Sequence, residues 1–229
     1  MSNQDQWCFA GVVPRPSDEG KDRAALVKST KWNSGDVITI SFLDGDPDLQ
    51  ERVKQTALAW TAPGLANLTF DFRKNTNDTF IRISFAPGGS NSDLGTSCKW
   101  RTDKSKPTMR FGWLKPTTDD GEIHRVVLHE FGHALGMVHE HQSPGGVGVF
   151  NWNKENVYRD LENIGWTKEQ VDLNMFDPIQ QSETNFTAFD PLSIMTYVIP
   201  TTWTTDGFSV RLNQTLSDQD KTFIHEQYP

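Results

Sequence analysis

His129, His133 and His139, with Glu130 beside the first, are the residues whose types and spacing carry the most chemistry. They fall in one run from His129 to His139 that reads H-E-x-x-H-x-x-G-x-x-H. Three imidazoles offer neutral nitrogen donors. That set suits a zinc ion and leaves a coordination position open for water. The glutamate is not needed as a ligand and can act as a proton acceptor. Chance composition would give these fixed positions in roughly one of 10⁵ chains, so coincidence is set aside. Any one of the six histidines alone would read as a packing or surface residue.

The spacing is that of a helix followed by a turn. At about 100° per residue, His129 and His133 lie within roughly 40° on one face, and Glu130 lies about 100° round from His129. Val127, Phe131, Ala134 and Leu135 fall on the far side as an apolar stripe that anchors the helix in a core. A helix continued to residue 139 would carry His139 off the ligand face. The chain must therefore turn at Gly136, which can take the left-handed conformation that ends a helix.

Downstream, Ser193-Ile194-Met195-Thr196-Tyr197 follows Phe189-Asp190-Pro191. Together with the helix motif, this run resembles the metzincin metalloproteases, and among them the astacin-like branch of small bacterial and fungal type. The resemblance spans about residues 29–229. It includes Lys31-Trp32-Asn33-Ser34-Gly35, the run from Pro107 to Trp113, and Leu216-Ser217-Asp218-Gln219-Asp220. It implies an α+β fold of two subdomains: a twisted sheet with the active-site helix above, and an irregular lower half ending in a helix. The expected boundaries are an N-terminal segment 1–28, a possible prosegment, and a catalytic domain 29–229 divided near residue 139. By the same resemblance, His129, His133 and His139 hold Zn2+. Glu130 is the general base for a zinc-activated water. Met195 forms an apolar floor, and Tyr197 is a movable ligand and oxyanion donor. Asp190 and Ser193 either brace the methionine turn or simply cap it. Two departures stand out. Glu140 is kept after the third histidine, but residues 142–146 lack the arginine and aspartates of animal astacins. Two cysteines also cannot form those relatives' paired disulfides.

The elements that must position these residues are legible in outline. A chain of 229 residues supports a sizeable core. Val37–Phe42, Thr69–Phe72, Ile81–Phe85 and Met109–Trp113 read as strands, with an edge strand near Ser90–Thr96. Asp46-Pro47 opens a helix carrying Leu49, Val53, Ala57 and Trp60. The zinc helix is expected over about Asp120 to Leu135. Further helices are expected from Asn153 to about Leu161, from Thr167, and from Ser217 to about Gln227.

The reading is a zinc metalloendopeptidase acting on protein or peptide substrates, with a zinc-retaining binding module as the alternative. A net charge of −8 disfavours nucleic acid and anionic membranes as partners. No apolar run approaches a membrane span. A monomer is expected. Residues 1–13 do not read as a signal peptide. Family resemblance implies an extracellular enzyme, supported weakly by four N-x-T sequons at Asn67, Asn77, Asn185 and Asn213. Asn91 and Asp93 predict a polar or acidic upper rim, and Arg211 is read as a surface residue. Cys8 and Cys98 leave three readings open: a disulfide, a Cys8 thiolate on the zinc that keeps the enzyme latent, or two free thiols.

Overall fold

The alternating run Val37–Phe42 is an inner strand of a six-stranded sheet in a computed structural model that describes residues 8–11, 30–179 and 185–229, the first as backbone alone. In chain order the strands are β1 (Cys8–Gly11), β2 (Val37–Phe42), β3 (Thr69–Phe72), β4 (Ile81–Ser84), β5 (Ser90–Asp93) and β6 (Met109–Arg110). In space they run β1-β5-β6-β4-β2-β3. β3, β2, β4 and β6 are parallel, and β5 lies antiparallel to β6. β1 pairs in parallel with β5, setting Cys8 opposite Ser90 and Gly11 opposite Asp93. The edge strand expected near Ser90–Thr96 is therefore β5, and β1 covers it. The remainder of the N-terminal segment, and the Cys8 side chain, lie outside the described residues.

Helix α1 (Pro47–Ala57) starts as its sequence dictates. Asp46 Oδ1 accepts from the Asp48 and Leu49 amides, and proline occupies the first turn, where its missing N–H costs nothing. Leu49, Val53 and Ala57 face the core, and Trp60 follows on a 3₁₀ turn. Helix α2 (Asp120–Ala134) carries the zinc motif and is capped by Asp119, whose carboxylate accepts from the Glu122 amide. Val127 and Phe131 are buried as the stripe predicts, with Phe131 tilted against Phe70 of β3 at 5.4 Å. Three aromatic donors pin α2 to the rest of the molecule. Trp60 Nε1 donates to Leu128 O (3.0 Å), Trp32 Nε1 to Ala134 O (2.9 Å), and the Tyr228 hydroxyl to Leu135 O (2.6 Å). The last two satisfy carbonyls that a helix end leaves without intrahelical partners.

Below the site lie α3 (Lys154–Glu162), α4 (Lys168–Val171) and α5 (Asp218–Gln227). Asn153 caps α3, and reciprocal capping boxes open α4 at Thr167/Gln170 and α5 at Ser217/Asp220. The helix from Thr167 is shorter than a regular one, because the chain passes into a π-helical turn over Asp172–Phe176. The strand expected over Met109–Trp113 stops at Arg110. Gly112 lies so close to the Gly88 carbonyl that a Cβ would meet its oxygen at 2.1 Å, and the chain leaves the sheet there. One apolar core joins Ile38 and Ile40 of the sheet, Phe131 of α2, Met195, and Ile224 and Tyr228 at the C-terminus. Among the described residues, no helix is long and apolar enough to cross a membrane.

Candidate metal centre and active site

The turn after α2 brings the third histidine to the other two. Gly136 has φ +92°. Its amide donates to His133 O (2.8 Å), and the Met137 amide donates to Gly132 O (2.9 Å). This double closure is a Schellman motif with glycine in the left-handed position. The chain reverses and returns His139 beside the helix. The three Nε2 atoms then converge: His129–His133 and His133–His139 at 3.1 Å, and His129–His139 at 3.2 Å. Zinc–nitrogen bonds of about 2.0–2.1 Å in tetrahedral geometry require nitrogens about 3.3 Å apart, so the residues fit the ion.

The other ring nitrogens decide the tautomers. His129 Nδ1 faces Ile194 O at 2.8 Å, and His133 Nδ1 faces Met137 O at 2.8 Å. A carbonyl only accepts, so both Nδ1 atoms hold protons and both Nε2 lone pairs are free for metal. His139 Nδ1 lies 3.3 Å from Gln142 Oε1. The Gln142 amide is oriented because its Nε2 donates to Leu173 O (2.8 Å) and Asp177 O (3.1 Å). Burial first, then the neighbouring His133, holds the pKa values of His129 and His139 well below the usual imidazole range. Neutral rings are the state a metal requires.

Glu130 is fully buried one residue after His129 on α2. Met195 packs below the helix, so close that a Cβ on Gly132 would meet its Sδ at 2.3 Å. Gly132 is thus the residue that lets the methionine floor approach. The Tyr197 ring lies 4.2 Å from that of His139 and 6.0 Å from that of His129, and is nearly covered. Both residues reading as a brace for the methionine turn do bond within it. Asp190 Oδ1 accepts from the Leu192 amide, and Ser193 Oγ accepts from the Met195 amide.

Three further residues meet the site, and the sequence reading assigns none of them a role there. Gln142 orients His139. His141 stacks 5.5 Å from His139 and 5.4 Å from Tyr197, and burial draws its pKa down to about 4. Asp220 reaches the methionine turn from α5, accepting from Ser193 Oγ at 2.6 Å and from the Ile194 amide at 2.8 Å. One rim expectation changes. Asp93 does not face the cleft. It is buried, and the Arg101 guanidinium grips both its oxygens, Nε to Oδ2 at 2.5 Å and Nη2 to Oδ1 at 2.7 Å. Cys98 is buried and bonded to no described cysteine, with its pKa pushed by burial up to about 12.

A helix and reversed turn presenting three neutral imidazoles over a methionine floor define a zinc hydrolase of the metzincin class. A myroilysin structure is 43% identical with a TM-score of 0.83, covering 89% of this chain and 97% of that one. A second myroilysin crystal structure is 39% identical with a TM-score of 0.70, covering 98% of this chain and 91% of that one. High choriolytic enzyme 1, a hatching enzyme zinc-protease from the medaka Oryzias latipes, shares the fold at 19% identity and a TM-score of 0.60, over 88% and 95% of the two chains. No family model and no curated protein matches. The chain belongs to the astacin-like zinc metalloproteases. It is a zinc-dependent endopeptidase, and the reading as a binding module without turnover is not favoured.

Proposed function

We propose that this endopeptidase holds zinc on His129, His133 and His139 and uses Glu130 as general base and Tyr197 as oxyanion donor. The observation that carries the proposal is the convergence of three Nε2 atoms within 3.2 Å, with Glu130 buried on the same helical turn. When bound, zinc supplies Lewis acidity and makes water a stronger acid. Glu130 accepts the proton of the attacking water and returns it to the leaving amine. The Tyr197 hydroxyl, carried on a ring already beside two ligands, donates to the oxygen on which charge develops. Met195 supports the ligand plane from below. The direct test is hydrolysis of denatured casein or gelatin. A chelator should abolish it, and added zinc should restore it. Cleavage that persists in metal-free protein refutes the zinc chemistry.

The substrates proposed are protein or peptide chains that pair with β5 as an added strand. The pairing of β1 with β5 supports a latency role for the N-terminal segment, because a substrate strand and β1 compete for one edge. The enzyme is proposed to act outside the cell as a monomer. Activity recovered in washed cells rather than in the medium, or a dimer mass by light scattering, counts against these two points.

A further inference from the structure

We propose that Asp220 is a positioning residue for the zinc ligand His129, acting through the backbone of Ile194. This rests on the reading of His129 as a ligand. Asp220 lies in the first turn of α5, distant in sequence from the zinc motif, yet one hydrogen-bonded path joins them. The Ile194 amide donates to Asp220 Oδ2 at 2.8 Å. The carbonyl of the same residue accepts from His129 Nδ1 at 2.8 Å. Ile194 is therefore held on its N–H side by the carboxylate and presents its C=O to the imidazole. The flanking residues hang on the same group. Ser193 Oγ donates to Asp220 Oδ1 at 2.6 Å and accepts from the Met195 amide at 3.0 Å.

Asp220 also serves the capping box of α5, where its Oδ2 accepts from the Ser217 amide at 2.9 Å. Capping alone does not account for the arrangement. A capping box engages one carboxylate oxygen, and an N-terminal acid normally stands in water. Asp218 in the same turn is exposed, whereas Asp220 is 2% exposed. Burial raises the Asp220 pKa against the lowering effect of its hydrogen bonds from Ser193, Ile194 and Ser217. Its oxygens are used on the methionine turn. The consequence for the metal is specific. The Ile194 carbonyl keeps the proton on Nδ1 of His129 and fixes the ring plane, which aims the Nε2 lone pair at the ion. Without Asp220 the Ile194 amide is a buried donor lacking its acceptor, and the turn relaxes to satisfy it. The carbonyl then moves with it.

The test compares zinc dissociation constants, from chelator competition, for the wild-type chain, Asp220→Ala, Asp220→Leu and Ser217→Ala. Leucine branches at the same carbon as aspartate but carries no acceptor, so it carries the test if the alanine variant does not fold. The melting temperature of each metal-free protein and the absorption spectrum of each cobalt-loaded protein are recorded alongside. Loss of Asp220 should weaken zinc binding by about 10- to 100-fold and shift the cobalt spectrum. It should lower kcat while KM stays near wild type. Ser217→Ala removes a helix cap and should lower the melting temperature while leaving zinc affinity within about twofold. Equal affinity losses in Ser217→Ala and the Asp220 variants would reduce Asp220 to a helix cap, and a folded Asp220→Leu with wild-type affinity would overturn the proposal outright. His129→Ala binding zinc as tightly as wild type would instead locate the failure in the ligand assignment.

Discussion

At the scale of residues, the site is organised by what each imidazole does with its second nitrogen. Ile194 O, Met137 O and Gln142 Oε1 take the three Nδ1 positions, and the Nε2 atoms are left to meet. Tyr197, proposed as the oxyanion donor, is packed against two of these rings. Tyr197→Phe should therefore reduce kcat by about 10²–10³-fold with little change in KM, since an oxyanion donor acts in the transition state. Steady-state kinetics on a peptide substrate decide this, and a change confined to KM removes the role. The ligands, Glu130, Met195 and Tyr197 are legible in the sequence because they sit at fixed spacings within short runs. Asp220 and Gln142 are not. Their partners lie at Ile194, Leu173 and Asp177, and only the folded chain reveals separations of 26, 31 and 35 residues as contacts. Asp93 misleads for the same reason: Arg101, which buries its charge, lies beyond the strand.

At the scale of elements, α2 and its terminating turn do most to build the site. The helix limits and the need for Gly136 are readable beforehand, because the cap, the apolar stripe and the ligand spacing agree. Gly136 tests this agreement. A Cβ added there would have its nearest neighbour at 3.9 Å, so Gly136→Ala meets no clash, only the cost of a left-handed alanine. That cost of about 1–2 kcal/mol should lower the melting temperature by roughly 2–8 °C, with zinc affinity falling as His139 is displaced. An unchanged melting curve and zinc affinity would mean the turn does not depend on glycine. Elements set by distant contacts are harder to read. The strand at Met109 is cut short by the approach of Gly112 to Gly88, and the helix from Thr167 yields to a π-turn. The pairing of β1 with β5 leaves no local trace in either sequence.

At the scale of the whole molecule, the C-terminus closes the structure around the catalytic helix. Tyr228 caps Leu135 O, and the Pro229 carbonyl accepts from Ser34 Oγ and Asn67 Nδ2. β1 pairs with β5 and also contacts α2. If β1 maintains latency, a chain beginning near Lys28 should cleave peptide faster than the full chain. Cys8→Ala should match it only if a Cys8 thiolate occupies the zinc. Equal rates for the full and shortened chains would reject latency. The central claim is that the three histidines hold zinc while Glu130 performs the proton transfer, and one variant separates those tasks. Glu130→Gln keeps the side chain's shape and removes its basicity. Measured together, metal content and peptide turnover should show stoichiometric zinc with turnover reduced by about 10²–10⁴-fold. A zinc-loaded Glu130→Gln enzyme that cleaves at a rate near wild type would contradict the account.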